Sequence, residues 1–351
     1  MTNLGDDHRP PAPGRPALPD DLRVVVGWRQ GLGPLLAERW RQQGHKVILV
    51  LPRLPGPKHP LPEGLRVAVV ERAALAAELR EPSRLIARAE PWRKQAGRNL
   101  HVPAETGLHL LDLTVTGAED VLATLAALGA RPGRLLFLSD PRLLGRGDGR
   151  LRLTEEAPLL PEGPTQEALA DAEAVARQSE LRGRGVVALR VVPYLYGPGI
   201  EPLTPLGPDP RLADRLLHRD PILWVSGSTP AQPLHVEDLG ATLDRLLELP
   251  DVPSLLHLAG PETLSWDGLL HQLHRASGAT EPPSVEVLRP DELALRKPEA
   301  VRHFAELAHV PLLDDARCRR EVFTADRRLV EHAPAWLRWS LQQLGLDGRE
   351  R

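Results

Sequence analysis

Cysteine is almost missing from this chain. Its single thiol, Cys318, excludes an internal disulfide and argues against a cysteine-based metal site. Lysine is nearly as scarce: of 44 basic residues only Lys46, Lys58, Lys94 and Lys297 are lysine, and only Tyr194 and Tyr196 are tyrosine. Chemistry that needs a lysine amine or a phenol has only these side chains to draw on. No run of eighteen apolar residues occurs, which excludes an ordinary membrane-spanning helix. The N-terminus carries no apolar signal core, so the cytoplasm is the expected compartment. The net charge of -3 gives no global pull toward nucleic acid or an anionic membrane. Short basic pieces such as ELRGRG read as solvated surface.

What is present is a long alternation of strand and helix signals. The 351 residues, 42% hydrophobic, suffice for one large domain or a core domain with a smaller lobe. Residues 1–20 are proline-rich and polar and read as a disordered tail, with order beginning near Leu22. LRVVVG is an apolar, β-branched run suited to a strand buried on both faces. PLLAERWRQQG has helical spacing and ends at Gly44, a C-cap signal. HKVILVLP reads as a second strand, LRVAVV and RLIARA as the third and fourth. EDVLATLAALG predicts a helix, RLLFLS a strand, TQEALADAEAVARQSELRG a long helix and VVALRVV another strand. After Gly199 proline-rich loops interrupt, and the remainder is mainly helical with a short strand at SLLHLAG. This pattern predicts an α/β fold: a doubly wound parallel sheet with a smaller, mainly helical C-terminal lobe. The expected division is 21–199 for the dinucleotide-binding part and 200–351 for a substrate or partner lobe, with part of the sheet completed by later residues. In such folds ligands sit at the carboxyl ends of the strands.

The first strand-to-helix turn reads VVVGWRQGLGPLLAE. Gly27, Gly31 and Gly33 lie there, and Pro34 suits the first helical turn. Glycines in this place let the backbone approach a pyrophosphate at a helix N-terminus. The spacing G-x-x-x-G-x-G departs from the usual fingerprint and puts Gln30 where a middle glycine belongs. Two readings stand: a dinucleotide site formed by Gly27, Arg29, Gln30, Gly31, Leu32 and Gly33, or a tight turn without ligand. The second strand ends VILVLPR, with no acid for a ribose hydroxyl but with Arg53, which Arg29 could assist. If a cofactor binds, this favours NADP over NAD. The alternative is that Arg53 is a solvated loop residue.

The order of several segments carries a family resemblance. LDLTVTGAEDVLATLAALGARPGRLLFLSD, LRVVPYLYGPG, PLHVEDLGATLDRLLE and LLHLAGPETLSWDGLLHQLHRASG occur in sequence between about Leu22 and Ala279. They resemble blocks of the extended short-chain dehydrogenase/reductase family, the NAD-dependent epimerases, dehydratases and dTDP-4-dehydrorhamnose reductases. Residues 280–351 resemble nothing assignable beyond the apolar helix PAWLRWSLQQLGL. The resemblance implies a Rossmann-like domain, a nicotinamide cofactor, a nucleotide-sugar ligand and a catalytic tyrosine with a lysine four residues later. A serine or threonine at the end of the fifth strand would orient the substrate oxygen. A tyrosine titrating near pH 10 needs such a cation to work near neutrality.

Here the chain departs from the pattern. Thr165 falls at the tyrosine position, Leu169 at the lysine position, and Asp140, beside Ser139, at the oxygen-orienting position. No lysine lies between Lys94 and Lys297, and no Tyr-x-x-x-Lys pair exists anywhere. Standard hydride chemistry is therefore not expected. Substitute acid/base groups are Asp140, Glu167, His235, Glu237 and Asp238; two carboxylates can serve if burial separates their pKa values. Against this, Asp140 can simply cap the strand end, and His235 and Tyr196 can pack the lobe. His271 and His274 are spaced i, i+3 but lack a third ligand, so no metal is expected. Two function classes follow. One is a catalytically silent NAD(P)-binding protein acting as a binding, sensing or assembly subunit, as a homodimer or with a protein partner. The other is an NADP-dependent reductase or epimerase of a nucleotide-sugar-like substrate with non-standard acid/base residues.

Overall fold

The computed structural model describes residues 21–56, 60–89, 103, 105–146, 151–180, 185–225 and 230–346. The tail expected over 1–20 lies outside the described residues. A seven-stranded, wholly parallel sheet forms the centre. Its strands are β1 (Leu22–Val26), β2 (Lys46–Leu51), β3 (Val67–Val69), β4 (Leu108–Asp112), β5 (Arg134–Ser139), β6 (Gly185–Val191) and β7 (Leu255–Leu258). Their spatial order is 3-2-1-4-5-6-7, which reverses direction between β1 and β4. β1, β4, β5, β6 and β7 are buried along their whole length, as strands covered on both faces must be.

Helices α1 (Leu32–Gln42), α2 (Arg72–Arg80), α3 (Pro82–Arg88), α4 (Ala118–Leu128) and α5 (Pro164–Glu180) connect the first six strands. Beyond Gly199 come α6 (Leu212–His218), α7 (Val236–Glu248), α8 (Trp266–Ser277), α9 (Pro290–Arg296), α10 (Pro298–Leu307), α11 (Ala316–Glu321) and α12 (Leu329–Gln343). One sheet face packs on α1 and α7 through Leu36, Trp40, Leu239 and Leu243; the other packs on α2 to α5 through Leu75, Leu85, Val121 and Ala172. The lobe has its own core, in which Tyr194, Tyr196, Trp224, Trp266 and Trp336 meet α6, α8 and α12. Among the described residues no helix is long and apolar enough to cross a membrane.

Gly44 ends α1 as the sequence suggests. Its φ is 88°, its N–H donates to the Arg41 carbonyl at 3.0 Å, and the next N–H, of His45, reaches Trp40 at 3.0 Å. That is a complete Schellman closure, which favours glycine at the left-handed residue.

One strand expectation fails. RLIARA is not the fourth strand but most of α3. Pro82, Leu85, Ile86 and Ala89 are buried while Arg84 and Arg88 are exposed. That i, i+3, i+4, i+7 pattern has helical period and cannot line one face of a strand. The fourth strand is LHLLD, seated between β1 and β5.

Candidate nucleotide cleft

The glycine turn joins β1, inside the sheet, to α1. Two of its glycines are demanded by packing. A Cβ at Gly33 would lie 1.9 Å from the Gly27 carbonyl oxygen, and one at Gly27 would lie 2.4 Å from the Thr114 methyl. The third, Gly31, has φ 86°, and a Cβ there would lie 3.4 Å from the Gly199 carbonyl oxygen. Between them Arg29 and Gln30 hold φ values of 34° and 56°. Among the described residues the only other non-glycine with positive φ is Arg219, so the turn concentrates this strain. The first donors of α1 are already engaged: Leu32 N–H reaches the Arg29 carbonyl and Gly33 N–H the Trp28 carbonyl, both at 3.1 Å. Pro34 has no N–H to offer.

Arg29, Gln30 and Leu32 form one wall of a cleft of about 240 Å³ at the carboxyl ends of β5 and β6. Leu138, Asp140, Arg142, Val192 and Ile200 also line it. His303, Glu306 and Leu307 of α10, with Val310 after it, complete the lining. No motif marks these α10 residues in the sequence; only the fold brings them here. A larger depression, about 370 Å³, lies elsewhere beside Glu155, Asp314 and Arg317, and contains none of the motif residues.

Asp140 is held fast. Its carboxylate accepts the Arg142 backbone N–H at 2.8 Å and the Arg142 guanidinium at 2.6, 2.9 and 3.0 Å, capping the short turn Pro141–Leu144. These bonds raise the Arg142 pKa. Arg29, by contrast, has its pKa lowered, first by burial, while Asp140 raises it and Arg142 lowers it further. The residue as a whole is exposed and lines the cleft.

The two family positions do not meet. Asp140 lines the cleft; Thr165 is exposed at the start of α5 and is not part of the lining. Leu169 packs against the core under α5. Glu167 is exposed. Arg53 is exposed just past β2, outside the cleft, so Arg29 and Arg53 are not a pair.

The remaining candidates are structural. His235 caps α7, its Nδ1 accepting the Glu237 N–H at 3.1 Å, and its ring stands edge-on to Tyr196 at 4.9 Å. Burial, with His332 and Arg327 nearby, pushes it down to about 4. Tyr196 donates its hydroxyl to the Arg327 carbonyl at 2.7 Å, and buried Asp238 accepts the Arg327 N–H at 3.1 Å as well as its guanidinium. Glu237 pairs with Arg39. His274 Nε2 is bonded to the Glu281 carbonyl at 2.7 Å. No group of three or more potential metal ligands occurs among the described residues.

Beneath the cleft lies a network that sequence reasoning missed. Ser139 donates to Glu173 at 2.6 Å, Glu173 grips Arg190 at 2.5 and 2.8 Å, and Arg190 meets His257 Nε2 at 3.0 Å. Ser139, Arg190 and His257 are register partners across β5, β6 and β7, and all four side chains are buried.

Solved structures with this architecture span almost the whole chain. MoeE5 in complex with UDP-glucuronic acid and NAD matches with a TM-score of 0.65 at 19% identity, covering 92% of this chain and 99% of that one. The chain shares the fold of these structures. The dTDP-glucose 4,6-dehydratase of Bacillus anthracis in complex with NAD matches at 0.65 and 14% identity, over 92% and 97% of the two chains. UDP-N-acetylglucosamine 4-epimerase of Methanobrevibacter ruminantium, in complex with UDP-N-acetylmuramic acid, matches at 0.67 and 14%, over 93% and 100%. No family model and no curated protein matches the sequence. The resemblance carried by four sequence blocks thus extends to the fold.

Proposed function

We propose that this protein is a nucleotide-binding member of the epimerase/dehydratase group that has given up the tyrosine- and lysine-dependent hydride chemistry and acts as a binding, sensing or assembly subunit. One observation carries the reading: where that chemistry needs a phenol and an ammonium in the cleft, Thr165 stands outside the cleft lining and Leu169 lies against the core. A carboxylate locked to Arg142 does not replace them. Residues 21–199, completed by β7, would form the nucleotide-binding part, and the rest of 200–351 the substrate or partner lobe.

The ligand is proposed to be NAD or NADP, with a nucleotide-sugar as the second class. Several neighbours in the same fold carry NAD. The missing acid after β2 and the exposed Arg53 favour NADP. The cleft, about 240 Å³, is below the roughly 300–1,000 Å³ of pockets that enclose a small molecule. A dinucleotide would therefore extend from it over the open surface beyond the turn. A second reading, an enzyme with a different acid/base set, is favoured by His303 and Glu306 lining the same cleft as Asp140.

A thermal-shift series with NAD, NADP and nucleotide-sugars tests binding, because a ligand held only by the folded state raises the melting temperature. The same samples, assayed for NAD(P)H formation or consumption with keto-sugars, should be inert. Turnover that disappears in Asp140→Asn or His303→Gln would replace this reading with the enzymatic one.

A further inference from the structure

We infer that Arg29 is the anion clamp of the glycine turn: its guanidinium supplies the positive charge for the pyrophosphate of a nicotinamide dinucleotide, beside the backbone donors the turn leaves free. This rests on the nucleotide-binding reading above and gives Arg29 a role distinct from assisting Arg53.

Three observations converge. First, helix N-termini hold phosphates through free N–H groups. In α1 the Leu32 and Gly33 donors are turned inward onto the Arg29 and Trp28 carbonyls, and Pro34 has none. Gln30 occupies the position where a glycine would let the backbone come close. The donors of the first turn of α1 are thus spent, and a phosphate there gains from a side-chain cation.

Second, Arg29 is such a cation and is uncommitted. Arg142, also in the cleft lining, is bound through its guanidinium to Asp140. The Arg29 guanidinium makes no hydrogen bond or ion pair with a described residue, yet it lines the cleft and feels chiefly Asp140 and Arg142. A planar guanidinium suits phosphate oxygens bidentately. Arg53 lies outside the cleft, so the two arginines address different parts of a ligand.

Third, the backbone is strained where Arg29 sits. Its φ of 34°, followed by 56° at Gln30, is a conformation glycine would adopt freely. A turn retaining arginine there, in a chain with glycines at 27, 31 and 33, keeps a side chain against its backbone preference. Among the described residues that guanidinium has no hydrogen-bond or ion-pair partner, and a ligand would supply one.

The test uses the full chain, with Arg29→Gly and Arg29→Lys. Affinities for NAD, ADP-ribose and adenosine are measured by calorimetry at two salt concentrations, and ligand-free melting temperatures are recorded. Arg29→Gly is expected to melt above wild type, because glycine relieves the turn. It should bind NAD and ADP-ribose about ten- to a hundredfold more weakly. Its adenosine affinity should be unchanged, and the salt dependence of dinucleotide binding shallower. Arg29→Lys should retain most of the affinity. Equal ADP-ribose affinity in wild type and Arg29→Gly would overturn the clamp alone. An equal proportional loss of adenosine would do the same, since it would mark a general distortion. A wild type that binds no dinucleotide would overturn the nucleotide-binding reading and the clamp with it.

Discussion

Gly33 and Gly27 touch across the first turn so closely that a Cβ on Gly33 would sit 1.9 Å from the Gly27 carbonyl oxygen. The obstacle is backbone, which cannot rotate aside as a side chain can. Gly33→Ala must therefore lift α1 off β1 and disturb Leu36 and Trp40 beneath it. The expected loss is about 3 kcal/mol or more, at or beyond the upper end of ordinary overpacking. Urea unfolding reads it directly; a loss below about 1 kcal/mol would mean that α1 is not seated as described.

The buried ion pair of Glu173 with Arg190 makes a second prediction. Both side chains are essentially without solvent, and Ser139 and His257 complete their bonding. Removing one partner strands a buried charge, at a cost of about 3–5 kcal/mol. Glu173→Ala should therefore be far more damaging than the double replacement Glu173→Leu with Arg190→Met. If the double variant proves the less stable of the two, the pair is a source of stability and not only of specificity.

Acid should weaken this protein from about pH 6.5 downward. His235 is held at about 4 and His257 at about 3, both first by burial; His332 and Arg327 add to the first and Arg190 to the second. Unfolded histidine takes its proton near 6.5. Below that pH the unfolded chain binds more protons than the folded one, so stability falls as pH falls. Each histidine contributes a slope of up to about 1.4 kcal/mol per pH unit, continuing to about pH 4 for His235 and about pH 3 for His257. Between pH 6.5 and 5 the urea midpoint should drop. In His235→Asn, which keeps a capping acceptor for α7, the drop should be smaller. An unchanged slope would show that His235 does not bear the proton.

Restoring the family pair should not restore its chemistry. Thr165→Tyr with Leu169→Lys would put a phenol at an exposed position and a lysine against the sheet core. The expected result is a loss of about 1–2 kcal/mol, the scale of one buried aliphatic side chain, and no reductase activity toward keto-sugars with NADP. Appearance of activity would place α5 nearer the cleft than the structure has it.

Legibility followed range along the chain. The parallel sheet could be read because β1, β2, β5 and β6 are continuous apolar runs, and the turn because Gly27, Gly31 and Gly33 mark it. RLIARA misled because six residues are too few to separate a strand from a short helix by composition; only the burial of Leu85, Ile86 and Ala89 separates them. The capping role of Asp140 was open to reading two residues away, whereas its clamp by Arg142 needed the cleft geometry. Arg190 stands in VVALRVV as if it faced water. Its partners, Glu173 and His257, come from 17 and 67 residues away. His303 and Glu306 were beyond reach for the same reason, since α10 returns to β5 only through the folded lobe.

The placement of β7 constrains how the chain is born. Strands β1 to β6 are complete by Val191, but the sheet's outer strand is Leu255–Leu258, and the helix that covers Leu36 and Trp40, α7, precedes it directly. During synthesis, β6 therefore leaves the ribosome with an open edge, and Arg190 with Glu173 but without His257. The nascent sheet must wait while more than sixty further residues emerge. Over that interval its apolar face and unpaired backbone are the ones a chaperone would meet.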